Sequence, residues 1–191
     1  MKRRKLPVTI NVPQMKVPAA FDTLDAKVDK LWQPLRRSRA LNRIFYTASE
    51  VGDFGMVWLA IGAAQAALGA ESKTRTALRL AAVLGVESIV VNGIVKSFFL
   101  RERPVHEGDR PIALRQPLTS SFPSGHTSSA VTAALLMTDP RTAWAPLYWA
   151  LAAVVGTSRV HVKIHHASDV VGGAIVGTAI GLVARRIPLG G

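Results

Sequence analysis

The chain has 191 residues, a net charge of +12 and no cysteine; 49% of its residues are hydrophobic but only 6% aromatic. That length allows one domain with a sizeable core, and the cysteine count excludes disulfides and thiolate chemistry. The apolar residues are bunched into runs of near-spanning length with Lys and Arg concentrated outside them, so the basic charge is read as meeting anionic lipid headgroups rather than nucleic acid.

Pro7, Pro13 and Pro18 interrupt the first eighteen residues, which read as an extended basic tail headed by Lys2, Arg3, Arg4 and Lys5. No apolar stretch follows that basic run, so no signal peptide is read there. From Ala20 the pattern turns helical: Phe21, Leu24, Val28, Leu31, Trp32 and Leu35 recur at three- and four-residue steps, with Asp22, Asp25, Lys27, Asp29 and Lys30 between them. Pro34 ends or kinks that helix. A second amphipathic piece sets Leu41, Ile44, Phe45 and Ala48 against Arg36, Arg37, Arg39 and Arg43. Both are too charged to span a bilayer and are expected to lie flat at its interface. The alternative is a helix pair packed on the bundle or on a second subunit of a homo-oligomer.

Five apolar segments follow: about Phe54 to Ala70, Thr76 to Val95, Gly125 to Met137, Ala143 to Thr157 and Asp169 to Ala184. Several are short for a crossing, so their ends must extend into the neighbouring residues. The second carries Glu87 in mid-span, where a charge is costly unless it is paired or faces the bundle interior. Gly172, Gly173, Gly177 and Gly181 punctuate the last and suit close helix packing in lipid. A long polar stretch separates Lys96 from Ser124, with Arg101, Arg110 and Arg115 alternating with Glu102, Glu107 and Asp109. Loops of that length in a compact domain are commonly functional. The expected fold is an all-α integral membrane bundle of about five transmembrane helices. Residues 1–50 form the tail and the amphipathic interfacial helices, and residues 51–191 form the transmembrane domain.

Three strings border these segments: Lys96-x6-Arg103-Pro104, Pro123-Ser124-Gly125-His126, and Ser158-Arg159-x5-His165-x3-Asp169. If segments two to five are consecutive crossings, all three fall on one face of the membrane, as a single site requires. Lys96, Arg103 and Arg159 can neutralise a phosphoryl group without a metal or other cofactor. Ser124 and Gly125 open a helix whose free amides and dipole favour an anion. His165 and Asp169 share one face if the segment between them is helical. No metal site is read, because His165 and His166 are adjacent and carboxylates at ligand spacing are missing.

In order and together, these eleven positions resemble the type 2 phosphatidic acid phosphatase family, whose fold and phosphate pocket are shared with vanadium-dependent haloperoxidases. The resemblance covers roughly Lys96 to Gly173. It implies Lys96, Arg103, Ser124, Gly125 and Arg159 as phosphate ligands, His165 as the nucleophile that forms a phosphohistidine, Asp169 as its partner, and His126 as the acid and base. Arg101 is a further candidate phosphate ligand. His106, His161 and His166 carry no catalytic role. Glu87 reads as a structural pairing partner, with a functional role as the alternative. The implied activity is metal-independent hydrolysis of a lipid phosphate: phosphatidate, phosphatidylglycerol phosphate, a polyprenyl phosphate or diphosphate, or a polyprenyl sugar phosphate. A phosphotransferase using the same intermediate and a vanadate-dependent peroxidase are the alternatives.

With five crossings the N-terminal fifty residues share a side with the three strings. Leaving out the three phosphate ligands, that side carries fifteen Lys or Arg against six on the other. Such residues are retained in the cytoplasm, so the site is expected to face the cytoplasm from the plasma (inner) membrane. Without the N-terminal segment the count is four against six, so the inference rests on residues 20–48 not crossing.

Overall fold

The structure is a computed structural model that describes residues 15–69, 71–106, 110–138 and 142–187, with Ser72 described by its backbone alone. The basic run at Lys2–Lys5, Pro7, Pro13, Glu107, Gly108, Asp109 and Arg141 lie outside the described residues. Among the described residues there are seven α-helices: α1 (Ala20–Trp32), α2 (Arg39–Val51), α3 (Met56–Leu68), α4 (Glu71–Ser88), α5 (Gly125–Met137), α6 (Ala145–His161) and α7 (Ala167–Arg186). α4 continues without a break through a π-helical stretch, Ile89–Ile94, and a 3-10 turn, Val95–Phe98. As Pro34 predicts, α1 stops at Trp32 and the chain restarts as a 3-10 turn at Leu35.

The core is built on α5, which packs against α4, α6 and α7. Its Ala130, Ala133 and Ala134 are fully buried among Trp58, Leu80, Leu84, Tyr148, Ala152 and Val155. Small residues on α5 let α7 approach until Thr132 Oγ1 donates to the Gly177 carbonyl at 3.0 Å. Large apolar side chains face outward instead, among them Leu59, Leu78, Ile89, Leu147, Ile175 and Val183. That inversion, small inside and bulky outside, suits a bundle solvated by lipid.

The five expected apolar segments are all helical, but their lengths differ from a uniform set of spans. Among the described residues, two helices are long and apolar enough to cross a membrane, Lys73–Phe98 and Ala167–Arg186, or three if the 65° bent pair Arg39–Val51 and Asp53–Leu68 counts as one. At about 1.5 Å per residue, the thirteen residues of α5 reach about 20 Å, short of a hydrocarbon core of about 30 Å.

The N-terminal helices pack on the bundle, α1 against α7 and α2 against α6. α1 docks through its acidic face: Asp25 is buried, whereas Leu24 and Leu31 of the apolar stripe remain exposed. α2 lies across the last turn of α6. Its Asn42 Oδ1 accepts from His161 Nε2 at 2.7 Å, and Ser49, two turns on, reaches Arg159. Arg36 closes this end by donating to the His161 and Val160 carbonyls at 3.0 Å each, satisfying groups at the α6 C-terminus.

The tightest seam is α5 with α7. A Cβ at Gly177 would stand 2.3 Å from the Ser128 carbonyl oxygen, whereas one at Gly85 meets nothing within 4 Å. Gly177→Ala should therefore destabilise the protein by about 1–3 kcal/mol, the usual range for overpacking. Gly85→Ala, inside α4 with open space around it, should not lower the thermal unfolding temperature in detergent and should raise stability by up to about 1 kcal/mol.

Candidate active site

The three strings converge where the α4 extension, α5, and the α6–α7 turn meet. Lys96, Gly125, His126, Arg159 and His165 line one cavity of ≈ 520 Å³, together with Gly52, Asp53 and Phe54 from the α2–α3 turn and Glu87, Ser88 and Asn92 from α4 and its extension. Arg115, Gln116, Pro117 and Leu118 of the long loop form another wall.

Arg159 sits at the base, 2% exposed. Its Nη1 donates to the Ser49 side chain and lies 3.4 Å from the Ser49 carbonyl, while Nε and Nη2 have no hydrogen-bond partner among the described residues. A buried guanidinium with two open donors is an unmet electrostatic demand that an anion would satisfy. Lys96, also buried, is brought to the same cavity by the 3-10 turn that ends the α4 extension. Arg103 is held by carbonyls of the loop and of the α6–α7 turn: Pro117 at 3.2 Å, Thr119 at 3.1 Å and Ile164 at 3.0 Å.

Arg103 also orients His165. Its Nη1 lies 3.3 Å from His165 Nε2, and a guanidinium can only donate, so Nε2 is the acceptor and Nδ1 carries the proton. Nδ1 stands 3.4 Å from Asp169 Oδ2, a close contact that falls short of a formed hydrogen bond. Burial pushes the His165 imidazole down to about 3; Asp169 opposes the shift, and Arg159 and Arg103 add to it. The ring is therefore neutral at ordinary pH, with its Nε2 lone pair turned to Arg103 and free to react only when that guanidinium turns to a bound anion.

Asp169 is fully buried. It accepts from Ser121 Oγ at 2.9 Å and the His166 amide at 2.8 Å, and pairs with Arg101 at 2.5 Å. Arg101 also pairs with Asp25 at 2.5 Å and donates to Ser168 Oγ at 2.6 Å. Burial works against the Arg101 charge, but Asp169 and Asp25 outweigh it and raise the guanidinium above its ordinary value. Arg101 is thus engaged behind Asp169, away from the cavity that Lys96 and Arg159 line.

Ser124 caps α5: its Oγ accepts from the Thr127 hydroxyl at 3.0 Å, and its amide donates to the Asp169 carbonyl at 2.9 Å. Its side chain is buried in that cap, and Gly125 and His126 present the helix start to the cavity. His126 Nε2 lies 3.2 Å from the Ser49 carbonyl and 3.3 Å from Asp53 Oδ1. Glu87 is buried in the cavity wall, and its Oε1 has no hydrogen-bond partner among the described residues. His161 and His166 lie outside the cavity, His161 on Asn42 and His166 at the start of α7.

Sequence reasoning missed Ser49, Asp53 and Asn92 as lining or contacting groups, and gave Asp25 and Asp29 only as polar positions of an amphipathic helix. Asp25 holds Arg101 and Ser168, and Asp29 pairs with Lys163 at 3.1 Å and Arg36 at 2.8 Å. Nothing in the spacing of an amphipathic helix signals which polar residues face inward. The one available hint was an acidic face in a chain of net charge +12.

A sequence model of the PAP2 superfamily matches residues 76–189. An undecaprenyl-diphosphatase of Bacillus subtilis is 25% identical over 145 residues, covering 75% of this chain and 72% of that protein. A decaprenylphosphoryl-5-phosphoribose phosphatase of Mycolicibacterium smegmatis is 33% identical over 128 residues, covering 65% of this chain and 67% of that one. Among solved structures, a transmembrane PAP2-type phosphatidylglycerolphosphate phosphatase of Bacillus subtilis aligns with a TM-score of 0.66 at 23% identity, covering 88% of this chain and 86% of its own. LpxE of Aquifex aeolicus aligns with a TM-score of 0.64 at 23% identity, covering 83% of this chain and 94% of its own.

The His165 environment has a consequence for stability. In the unfolded chain the imidazole returns to its ordinary value of 6.5, so between pH 6.5 and about 3 the unfolded state binds more protons than the folded one. Stability therefore falls as pH drops through 6.5. Replacing His165 by Asn should make that fall shallower, as read from thermal unfolding of both proteins between pH 7 and 5.

Proposed function

The chain belongs to the PAP2 superfamily, and on that premise we propose that it is a membrane lipid phosphate phosphatase acting through a phosphohistidine on His165. The observation that carries the reading is the buried Arg159 with two open donors, set in one cavity with Lys96, His126 and His165. The phosphoryl oxygens are held by Lys96, Arg103, Arg159 and the amides at the start of α5.

His165 Nε2 attacks phosphorus, and the bond from phosphorus to the lipid oxygen breaks as the nitrogen–phosphorus bond forms. His126, carrying a proton on both ring nitrogens once the anionic substrate is bound, gives its Nδ1 proton to the departing oxygen and is left neutral with Nε2–H. Asp169 stabilises the positive charge that His165 acquires. A water then loses a proton to His126 and attacks phosphorus, breaking the nitrogen–phosphorus bond. Inorganic phosphate leaves and His165 is neutral again. The electrostatic work is done by protein cations, so the proposed reaction needs no metal.

The choice of a polyprenyl-linked phosphate or diphosphate as substrate draws on the names of two relatives, an undecaprenyl-diphosphatase and a decaprenylphosphoryl-5-phosphoribose phosphatase. In the proposed topology α3 to α7 are five crossings of the inner membrane, residues 51–191 form the catalytic domain, and the N-terminal helices cap its site end. The exposed Leu24 and Leu31 would lie in the interface while the acidic face of α1 holds Arg101 and Lys163. α2 lying across α6 supports the assumption that residues 20–48 do not cross, and with it a cytoplasm-facing site.

His165→Ala should abolish turnover of a polyprenyl phosphate while the protein still unfolds cooperatively, and wild-type turnover should survive excess chelator. Full turnover by His165→Ala would sink the mechanism. For sidedness, Leu118 at the cavity mouth is fully exposed and the chain has no cysteine, so Leu118→Cys gives a single reporter. An impermeant thiol reagent should label it only after the cells are permeabilised; labelling in intact cells would reverse the topology.

A further inference from the structure

The matched family region begins at residue 76, yet the turn between α2 and α3, residues 52–55, forms part of the cavity wall. This turn is built to come close. A Cβ at Gly52 would stand 2.9 Å from Val155 Cγ1 and 3.2 Å from His126 Cδ2. Phe54, at φ 54°, and Gly55, at φ 69°, take left-handed backbone conformations, uncommon for a phenylalanine, and Arg115 lies 4.6 Å over the Phe54 ring. The result is that Asp53 Oδ1 sits 3.3 Å from His126 Nε2, with the Ser49 carbonyl 3.2 Å from the same nitrogen.

A carbonyl oxygen only accepts, so the Ser49 contact fixes the hydrogen of His126 on Nε2. That leaves Nδ1 as the ring nitrogen that can exchange a proton with a bound group. The other charged or titratable groups around the ring are Arg159, His165 and Lys96. None of the three would favour a second proton on the imidazole. Asp53 is the carboxylate that contacts the ring, at 3.3 Å, and it also acts through space on Arg159, favouring that charge.

We propose that Asp53 is the positioning residue of His126: its carboxylate, with the Ser49 carbonyl, holds Nε2–H so that Nδ1 faces the leaving group, and it balances the imidazolium when His126 carries two protons. The inference rests on the reading of His126 as the acid and base, and extends the site to a segment outside the matched family region. It parallels the relation of Asp169 to His165, with the second carboxylate drawn from a different part of the chain.

The test separates proton delivery from phosphate binding by the leaving group. Dodecyl phosphate, whose alkoxide needs a proton, and p-nitrophenyl phosphate, whose phenolate does not, are compared in the same detergent micelles. Asp53→Asn should slow dodecyl phosphate turnover by about 10–100-fold while keeping the rate of the first p-nitrophenol burst within about twofold. Asp53→Glu should recover much of the loss. His126→Ala should show the same asymmetry, more strongly. Asp53 is partly exposed, and Asp53→Ser serves as a second neutral variant should Asp53→Asn fail to fold by thermal unfolding. Equal slowing of both substrates, or of neither, with His126→Ala still discriminating, would overturn the role of Asp53 alone. If His126→Ala does not discriminate, the reading of His126 fails and this inference goes with it.

Discussion

A fully buried carboxylate organises this molecule. Asp169 lies at the start of α7, with its side chain fully buried, and an unpaired charge there would cost several kcal/mol. Its compensation comes from three directions: Arg101 and Ser121 from the long loop, and the His166 amide from its own helix. Arg101 in turn needs Asp25, which fixes α1 against α7. One ion thus determines where the loop runs, where the N-terminal helix docks, and how His165 stands.

The cavity carries the complementary imbalance. On the far side of His165, Arg159 and Lys96 are buried beside each other with few opposing charges, and Arg159 keeps two donors unused. A site that is electrically satisfied on one face of an imidazole and unsatisfied on the other holds the ring in one tautomer, and its cations draw an anion to that side of the ring. Preorganisation of this kind means that little has to move when charge develops during phosphoryl transfer. The helix start at Gly125 adds its amides to the same side.

Much of this was legible in the sequence. The residues Lys96, Gly125, His126, Arg159 and His165 share a cavity because the apolar segments between them return the chain to one end of the bundle, which periodicity and segment length reveal. Ser124 was read as opening a helix, and does so as its cap. Less legible were contacts that depend on how helices dock. Asp25 looks like any polar position of an amphipathic helix until Arg101 is seen opposite it. Asp53 and Ser49 reach His126 and Arg159 only because the chain bends by 65° between α2 and α3, and no spacing rule encodes that bend. The span count was the weakest reading, because α5 is surrounded by other helices and can be short.

The central claim is that a phosphoryl group passes through His165, and the direct measurement is chemical trapping. The purified protein is mixed with a polyprenyl phosphate labelled in its phosphoryl group, quenched within the first turnover in alkali, and digested for mass spectrometry. The account predicts an acid-labile, alkali-stable phosphate on the peptide carrying His165, disappearing at the rate at which inorganic phosphate is released. Label on a residue other than His165, or phosphate release in a full first turnover with no labelled protein at any time, would contradict it.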